Sequence, residues 1–132
     1  MQKQVKILFF SFLVLVFFTS CSKELPPKAK DFIKQYEALA ERSIELAKIY
    51  QGFQLRAQAL DKTNKEVVDN FNKEFALYQE QAKSLNQEFE LLFSRVGDIT
   101  KDLNKRQKVR FESEGYRIKA WIETEKAKLK KK

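Results

Sequence analysis

Three apolar stripes separated by short polar breaks follow a hydrophobic opening segment. Residues 7–18, ILFFSFLVLVFF, are almost wholly apolar, and the next stretch, TSCSKELPPKAK, is polar. From Phe32 the apolar positions take a helical period. Phe32, Tyr36, Leu39, Ser43, Leu46, Tyr50, Phe53, Ala57 and Leu60 fall at alternating spacings of four and three, which predicts one face of a helix about 30 residues and 45 Å long. Ser43 is the polar exception, and Gly52 is the weak point, since glycine inside a helix costs about 1 kcal/mol relative to alanine.

A turn belongs near 61–64, where Thr63 and Glu66 stand at capping-box spacing and announce a second helix start. The second stripe is cleaner: Val68, Phe71, Phe75, Tyr78, Ala82, Leu85, Phe89, Leu92, Val96, Ile99 and Leu103. Spacing this regular keeps a seam turned toward a partner, as in coiled coils and bundles. A third set, Phe111, Ile118, Trp121, Ile122 and Leu129, also lies at helical spacing.

These patterns predict an all-α fold, a long antiparallel, coiled-coil-like helical hairpin in which each stripe buries the other. Ile33, Ile44, Ile49, Leu77, Leu91 and Phe93 lie off the seams and call for a further surface. Two arrangements supply it. Either the chain bends at Gly97 or Gly115 and the third segment completes a three-helix bundle, or one rod runs on past Leu103 and a homo-oligomer covers the rest.

Composition removes most small-enzyme chemistry. The chain has 132 residues, no histidine and one cysteine, so internal disulfides, imidazole or thiolate metal sites and His-activated nucleophiles are all absent. Three scattered glycines form no phosphate-cradling loop. The acidic residues are interleaved with lysines on helical faces and read as solvated surface. No catalytic constellation, cofactor site or metal site is expected, and the chain is not expected to be an enzyme.

Charge is distributed unevenly. Residues 22–100 carry 12 basic and 13 acidic side chains, whereas residues 101–132 carry 12 basic and 5 acidic, a net of +7. The excess is at one end.

The opening segment has a function of its own. Lys3 and Lys6 provide a positive n-region, residues 7–18 a hydrophobic h-region too short to span a bilayer as a helix, and Thr19-Ser20 the small residues before a cleavage point. A generic secretory signal has no use for Cys21 at the cut. A bacterial lipoprotein signal does, because there the thiol is acylated and becomes the first residue. Phe18-Thr19-Ser20-Cys21 resembles such a lipobox, with Phe18 where leucine is commoner. The expected organisation is a cleaved signal peptide at 1–20, a lipid-anchored linker at 21–30, the helical domain at 31–127 and a basic tail at 128–132. Acylated Cys21 would tie the chain to a bacterial membrane in the cell envelope, on the periplasmic face or at the cell surface.

Two further features are candidate contacts. Trp121 reads as a core residue or, lying between basic stretches, as a membrane-interface or partner contact, because its ring is apolar with one polar N–H. The tail, with Lys126, Lys128, Lys130, Lys131 and Lys132, reads as solvated or as a contact for anionic lipid or an acidic partner, which would strengthen a lipid anchor. Export argues against nucleic acid as a partner.

Short lysine- and phenylalanine-rich helical chains with a permissive lipobox resemble the small lipoproteins of spirochaetes, Borrelia in particular. The size, export signal, helical repeat and basic end are similar to those of the BlyB family, haemolysin-accessory proteins paired with a small membrane-active partner, BlyA, in a holin-like system. The resemblance spans the chain in general character, and FTSC is its one specific motif. It implies support of a membrane-permeabilising partner without enzymatic turnover. The competing expectation is a surface lipoprotein that binds a host or envelope ligand.

Overall fold

The computed structural model describes residues 23–131; the expected signal segment, Cys21 and Lys132 lie outside them. Four helices follow in order: α1 at Pro27–Gln58, α2 at Lys65–Phe93, the short α3 at Val96–Thr100 and α4 at Lys105–Lys130. The fold is all-α, and among the described residues there is no strand.

Helix α1 starts earlier than the stripe suggested. Pro26 is extended and Pro27 occupies the first turn, where a missing N–H costs nothing and the fixed φ is already helical. Residues 27–30, expected in the linker, are therefore helical, and Leu25 just before them is buried. Gly52 lies inside α1 without interrupting it.

The second helix start is also built differently from the expected Thr63–Glu66 box. Asn64 is the N-cap, its side chain accepting from the Val67 amide at 3.3 Å. Thr63 is engaged elsewhere, donating from its amide and hydroxyl to the Asp61 carboxylate at 3.0 and 2.6 Å. A carboxylate two residues upstream attracts both donors of Thr63 and shifts the cap one place along.

The long second stripe is divided. Helix α2 ends at Phe93, where the Ser94 hydroxyl donates to the Leu91 carbonyl at 2.7 Å, and α3 carries Ile99 back to the core. Leu103 is buried in the following turn. A full capping box then starts α4: the Asn104 side chain accepts from the Gln107 amide, and the Gln107 side chain accepts from the Asn104 amide, both at 2.9 Å. The chain reverses around residues 94–104, so Gly97 lies in the bend and Gly115 does not, being interior to α4. The alternative of a continuous rod past Leu103 is thereby overturned; the strict spacing persists across the break because Val96, Ile99 and Leu103 still face the same core.

Helix α4 packs alongside α1, which is the common neighbour of α2 and α4. Arg42 and Glu88 form two hydrogen bonds, at 2.6 and 2.9 Å, and Arg56 meets Glu74 at 2.6 Å. Fourteen residues separate the partners along each helix, so both pairs belong to one antiparallel register. Helix α4 is tied at both ends: the Gln107 carboxamide donates to the Glu24 carbonyl at 2.8 Å, and the Gln51 carboxamide to the Leu129 carbonyl at 2.6 Å. Arg117 bridges Glu37 of α1 and Glu114 of its own helix.

One continuous core runs through these elements. At the end near Leu25, Phe32 packs its ring against Tyr36, Phe93 and Phe111 at centroid distances of 6.3, 5.8 and 5.2 Å. Ile118, from the middle of α4, is fully buried. All the buried side chains among the described residues come from Leu25–Ile118, so a chain starting at Ser22 contains every one of them. Of the off-seam residues that asked for cover, Ile44 is buried and Ile33 half-buried, and the Phe93 ring reaches Phe32. Ile49, Leu77 and Leu91 remain exposed, and so does Phe93 despite its contact with Phe32. Helix α4 lies on α1, so it cannot reach the outward face of α2.

Candidate functional site

Because Gln51 meets Leu129, α4 stops at the level of Gln51. The last two turns of α1 and the facing start of α2 extend beyond it as a bare hairpin, by about 10 Å at 1.5 Å per residue. Aromatic rings hold this hairpin together. Phe53 packs against Phe71, Phe75 and Tyr78 at 5.6, 5.4 and 5.7 Å, and Tyr50 stacks on Tyr78 at 5.8 Å. The Arg56 guanidinium, paired with Glu74, lies over the Phe53 and Phe71 rings at 5.3 and 5.6 Å. Phe53 is buried, whereas Phe71, Phe75 and Tyr78 are half-buried and Tyr50 is exposed.

Toward the end of α4 an open trough with α1 as its floor lies between α2 and α4, about 830 Å³ in volume. Ser43, Leu46, Ala47, Tyr50, Gln51 and Gln54 line it from α1, Tyr78, Ala82, Leu85 and Asn86 from α2, and Lys126, Leu129 and Lys130 from α4. Leu46, Ala47, Ala82, Leu85 and Leu129 make part of the lining apolar, and the small Ala47 and Ala82 leave it open. Burial, and after it the neighbouring Tyr50, pushes the Tyr78 hydroxyl above its ordinary 10.0, so it is a neutral hydrogen-bonding group at physiological pH.

Charge in the trough has one sign. Lys126 and Lys130 stand one turn apart on α4 and both line it, while no Asp or Glu does. Lys128 differs, its ammonium lying 2.7 Å from the Glu125 carboxylate outside the trough.

The sequence-derived candidates therefore do not form one patch. Five residues separate Trp121 from Lys126, a rotation of about 140° around the helix, so the indole and the trough lysines occupy different flanks of α4. Trp121 is 38 % exposed, which removes it from the core. It lies toward the flank carrying Arg117 and Lys128, as its helical position requires. Lys128 and Lys130, expected in a basic tail, are the last turn of α4, and Lys131 caps it. Cys21 and Lys132 lie outside the described residues.

Ser43, Leu46, Tyr50, Tyr78, Ala82, Leu85 and Leu129 belong to the apolar stripes and were expected in seams, whereas Ala47, Gln51, Gln54 and Asn86 were not singled out, and nothing in the stripes placed them around an open trough. The sequence signals are small side chains, Ala47 and Ala82, at or beside seam positions, and two lysines at i, i+4 near the end of α4. The two ends of the bundle also differ. Leu25 enters the core at one end and Lys130 finishes α4 at the other, and the rise from Pro27 to the level of Gln51 is about 36 Å.

Among the described residues no helix is long and apolar enough to cross a membrane, and no cluster of His, Cys, Asp or Glu could hold a metal ion. No protein-family model matches the chain, and neither a curated protein nor a solved structure does.

Proposed function

We propose that this chain is an exported, lipid-anchored helical lipoprotein without enzymatic turnover, an accessory of a membrane-permeabilising system of the BlyB type. In this reading acylated Cys21 holds the bundle at a bacterial membrane. The bundle then carries the basic end of α4 and the aromatic hairpin away from that membrane, toward a small membrane-active protein or an opposing anionic surface. The observation that supports it is the polarity of the bundle: Leu25 is packed at one end, and the lysine-bearing end of α4 lies about 36 Å away. An anchor and a contact surface at opposite ends suit a spacer better than a protein lying flat on its own membrane.

The reading predicts a neighbouring gene for a short, single-span amphipathic membrane protein. Expressed in a bacterium, the full chain takes up a clickable palmitate and Cys21→Ser does not, accumulating as precursor. Co-expressed with that short protein, the wild-type chain advances the onset of culture lysis, and a chain ending at Ala127 loses the advance. Equal labelling of wild type and Cys21→Ser, or lysis that is indifferent to the chain, overturns the reading. A second reading, a surface lipoprotein binding a host or envelope ligand, is favoured by the trough between α2 and α4.

A further inference from the structure

We propose that the trough between α2 and α4 binds one molecule of a long-chain fatty acid, its acyl chain lying along α1 and its carboxylate held between Lys126 and Lys130. The inference takes up the second reading above and is independent of the lytic one. Three properties of the trough select this occupant.

Shape comes first. The trough is an open groove that follows α1 from Ser43 to Gln58, about 22 Å of helix. An extended peptide would fit but would bring backbone N–H and C=O groups against helices whose own backbone groups are already paired, leaving the newcomers unsatisfied. A hydrocarbon chain carries no such groups.

Length agrees. From the level of Lys130, opposite Gln51 and Gly52, down to Ser43 is about nine residues or 14 Å, close to the ~15 Å that one acyl chain spans in half a bilayer core. In that direction Leu46, Ala82 and Leu85 provide apolar walls.

Charge selects the headgroup. Lys126 and Lys130 line the trough one turn apart, with no carboxylate beside them there. Two lysines one turn apart on the α4 side of the trough suit a single carboxylate, since hydrogen bonds between ionised partners are shorter and stronger than neutral ones.

The test uses the chain from Ser22 to Lys132, which contains every buried residue among the described ones, and titrates cis-parinaric acid, a fatty acid that fluoresces when its chain is shielded from water. Saturation at one molecule per chain and displacement by oleate are expected, with oleyl alcohol a much weaker competitor. Lys126→Gln with Lys130→Gln should weaken parinarate about tenfold or more, because charge-assisted hydrogen bonds are lost, while leaving oleyl alcohol unchanged. Lys128→Gln with Lys131→Gln should change neither. Ala82→Phe should abolish binding of acid and alcohol alike, with helicity checked by circular dichroism; the lysine pairs, on the surface of α4, decide the matter if that variant fails to fold. Absence of saturable binding overturns the proposal, as does an equal loss for both lysine pairs, which would mean diffuse attraction to the basic end. Tighter displacement by lysophosphatidylglycerol than by oleate overturns the choice of a carboxylate. A dimer in sedimentation that dissociates as parinarate binds would assign the trough to a second copy of the chain and overturn it too.

Discussion

Phe32 is the side chain whose removal should cost the bundle most, because it joins all three long elements at once. It is 3 % exposed, and its ring touches Tyr36 on its own helix, Phe93 at the end of α2 and Phe111 in the first turns of α4. Truncating a buried phenylalanine to alanine costs about 3–5 kcal/mol, the larger values arising where the surroundings cannot collapse into the cavity. Three ring contacts, each worth about 0.5–1.5 kcal/mol beyond area burial, disappear together, so Phe32→Ala belongs in the upper half of that range, at about 4–5 kcal/mol. A domain of this size has a total stability of about 5–15 kcal/mol, and at roughly 4 °C per kcal/mol its midpoint should fall by about 15–20 °C. Urea unfolding of the chain from Ser22, followed by circular dichroism at 222 nm, measures this directly. Leu91→Ala is the control: Leu91 is apolar but 71 % exposed, and its loss should change stability by less than about 0.5 kcal/mol. A Phe32→Ala cost below about 1.5 kcal/mol, or equal costs for the two variants, would refute the claim that Phe32 links the end of α2 and the start of α4 to α1.

Three further outcomes follow from local geometry. A Cβ built at Gly115 meets nothing within 4 Å, and the residue has no positive φ, so Gly115→Ala should raise stability by about 0.5–1 kcal/mol in thermal melts; a loss would mean that α4 bends there. Asn104→Ala removes the cap that starts α4 and should cost about 0.5–2 kcal/mol in the same assay, whereas no change would show that the turn at 101–104 does not depend on it. Glu88 and Glu74 titrate below their ordinary 4.5, chiefly through hydrogen bonds from Arg42 and Arg56. A lowered carboxylate stabilises the fold above its ordinary value and loses that contribution as pH falls below it. The melting midpoint should therefore drop between about pH 6 and about pH 3, and drop less in Arg42→Gln with Arg56→Gln; identical acid profiles would show that these pairs contribute nothing.

Periodicity along the chain was enough to place Phe32, Tyr36, Leu39, Phe53, Leu85 and Leu92 inside and to require antiparallel helices. That information is local: a residue's face follows from its number once the period is 3.6, and a short connection leaves two neighbouring helices little choice of direction. The turn after α1 was legible for the same reason, whereas the start of α1 at Pro27, inside the expected linker, was not. The start of α2 was misread by one residue, because whether Thr63 or Asn64 caps it depends on where the Asp61 carboxylate turns.

Where α4 lies was not readable in this way. Both a bent and a straight continuation satisfy the same stripe through Val96, Ile99 and Leu103, and the choice falls to competing hydrogen bonds at Ser94 and Asn104 and to the burial of Ile118 and Phe111 against α1. Trp121 shows the limit most clearly: its spacing admits it to the core, but α4 turns Phe111, Ile118 and Ile122 inward and leaves the indole on the flank. The trough is decided still later. It exists because α4 ends at the level of Gln51 while α1 and α2 continue. A gap between helices depends on where three distant segments stop relative to one another, which no single segment's pattern contains.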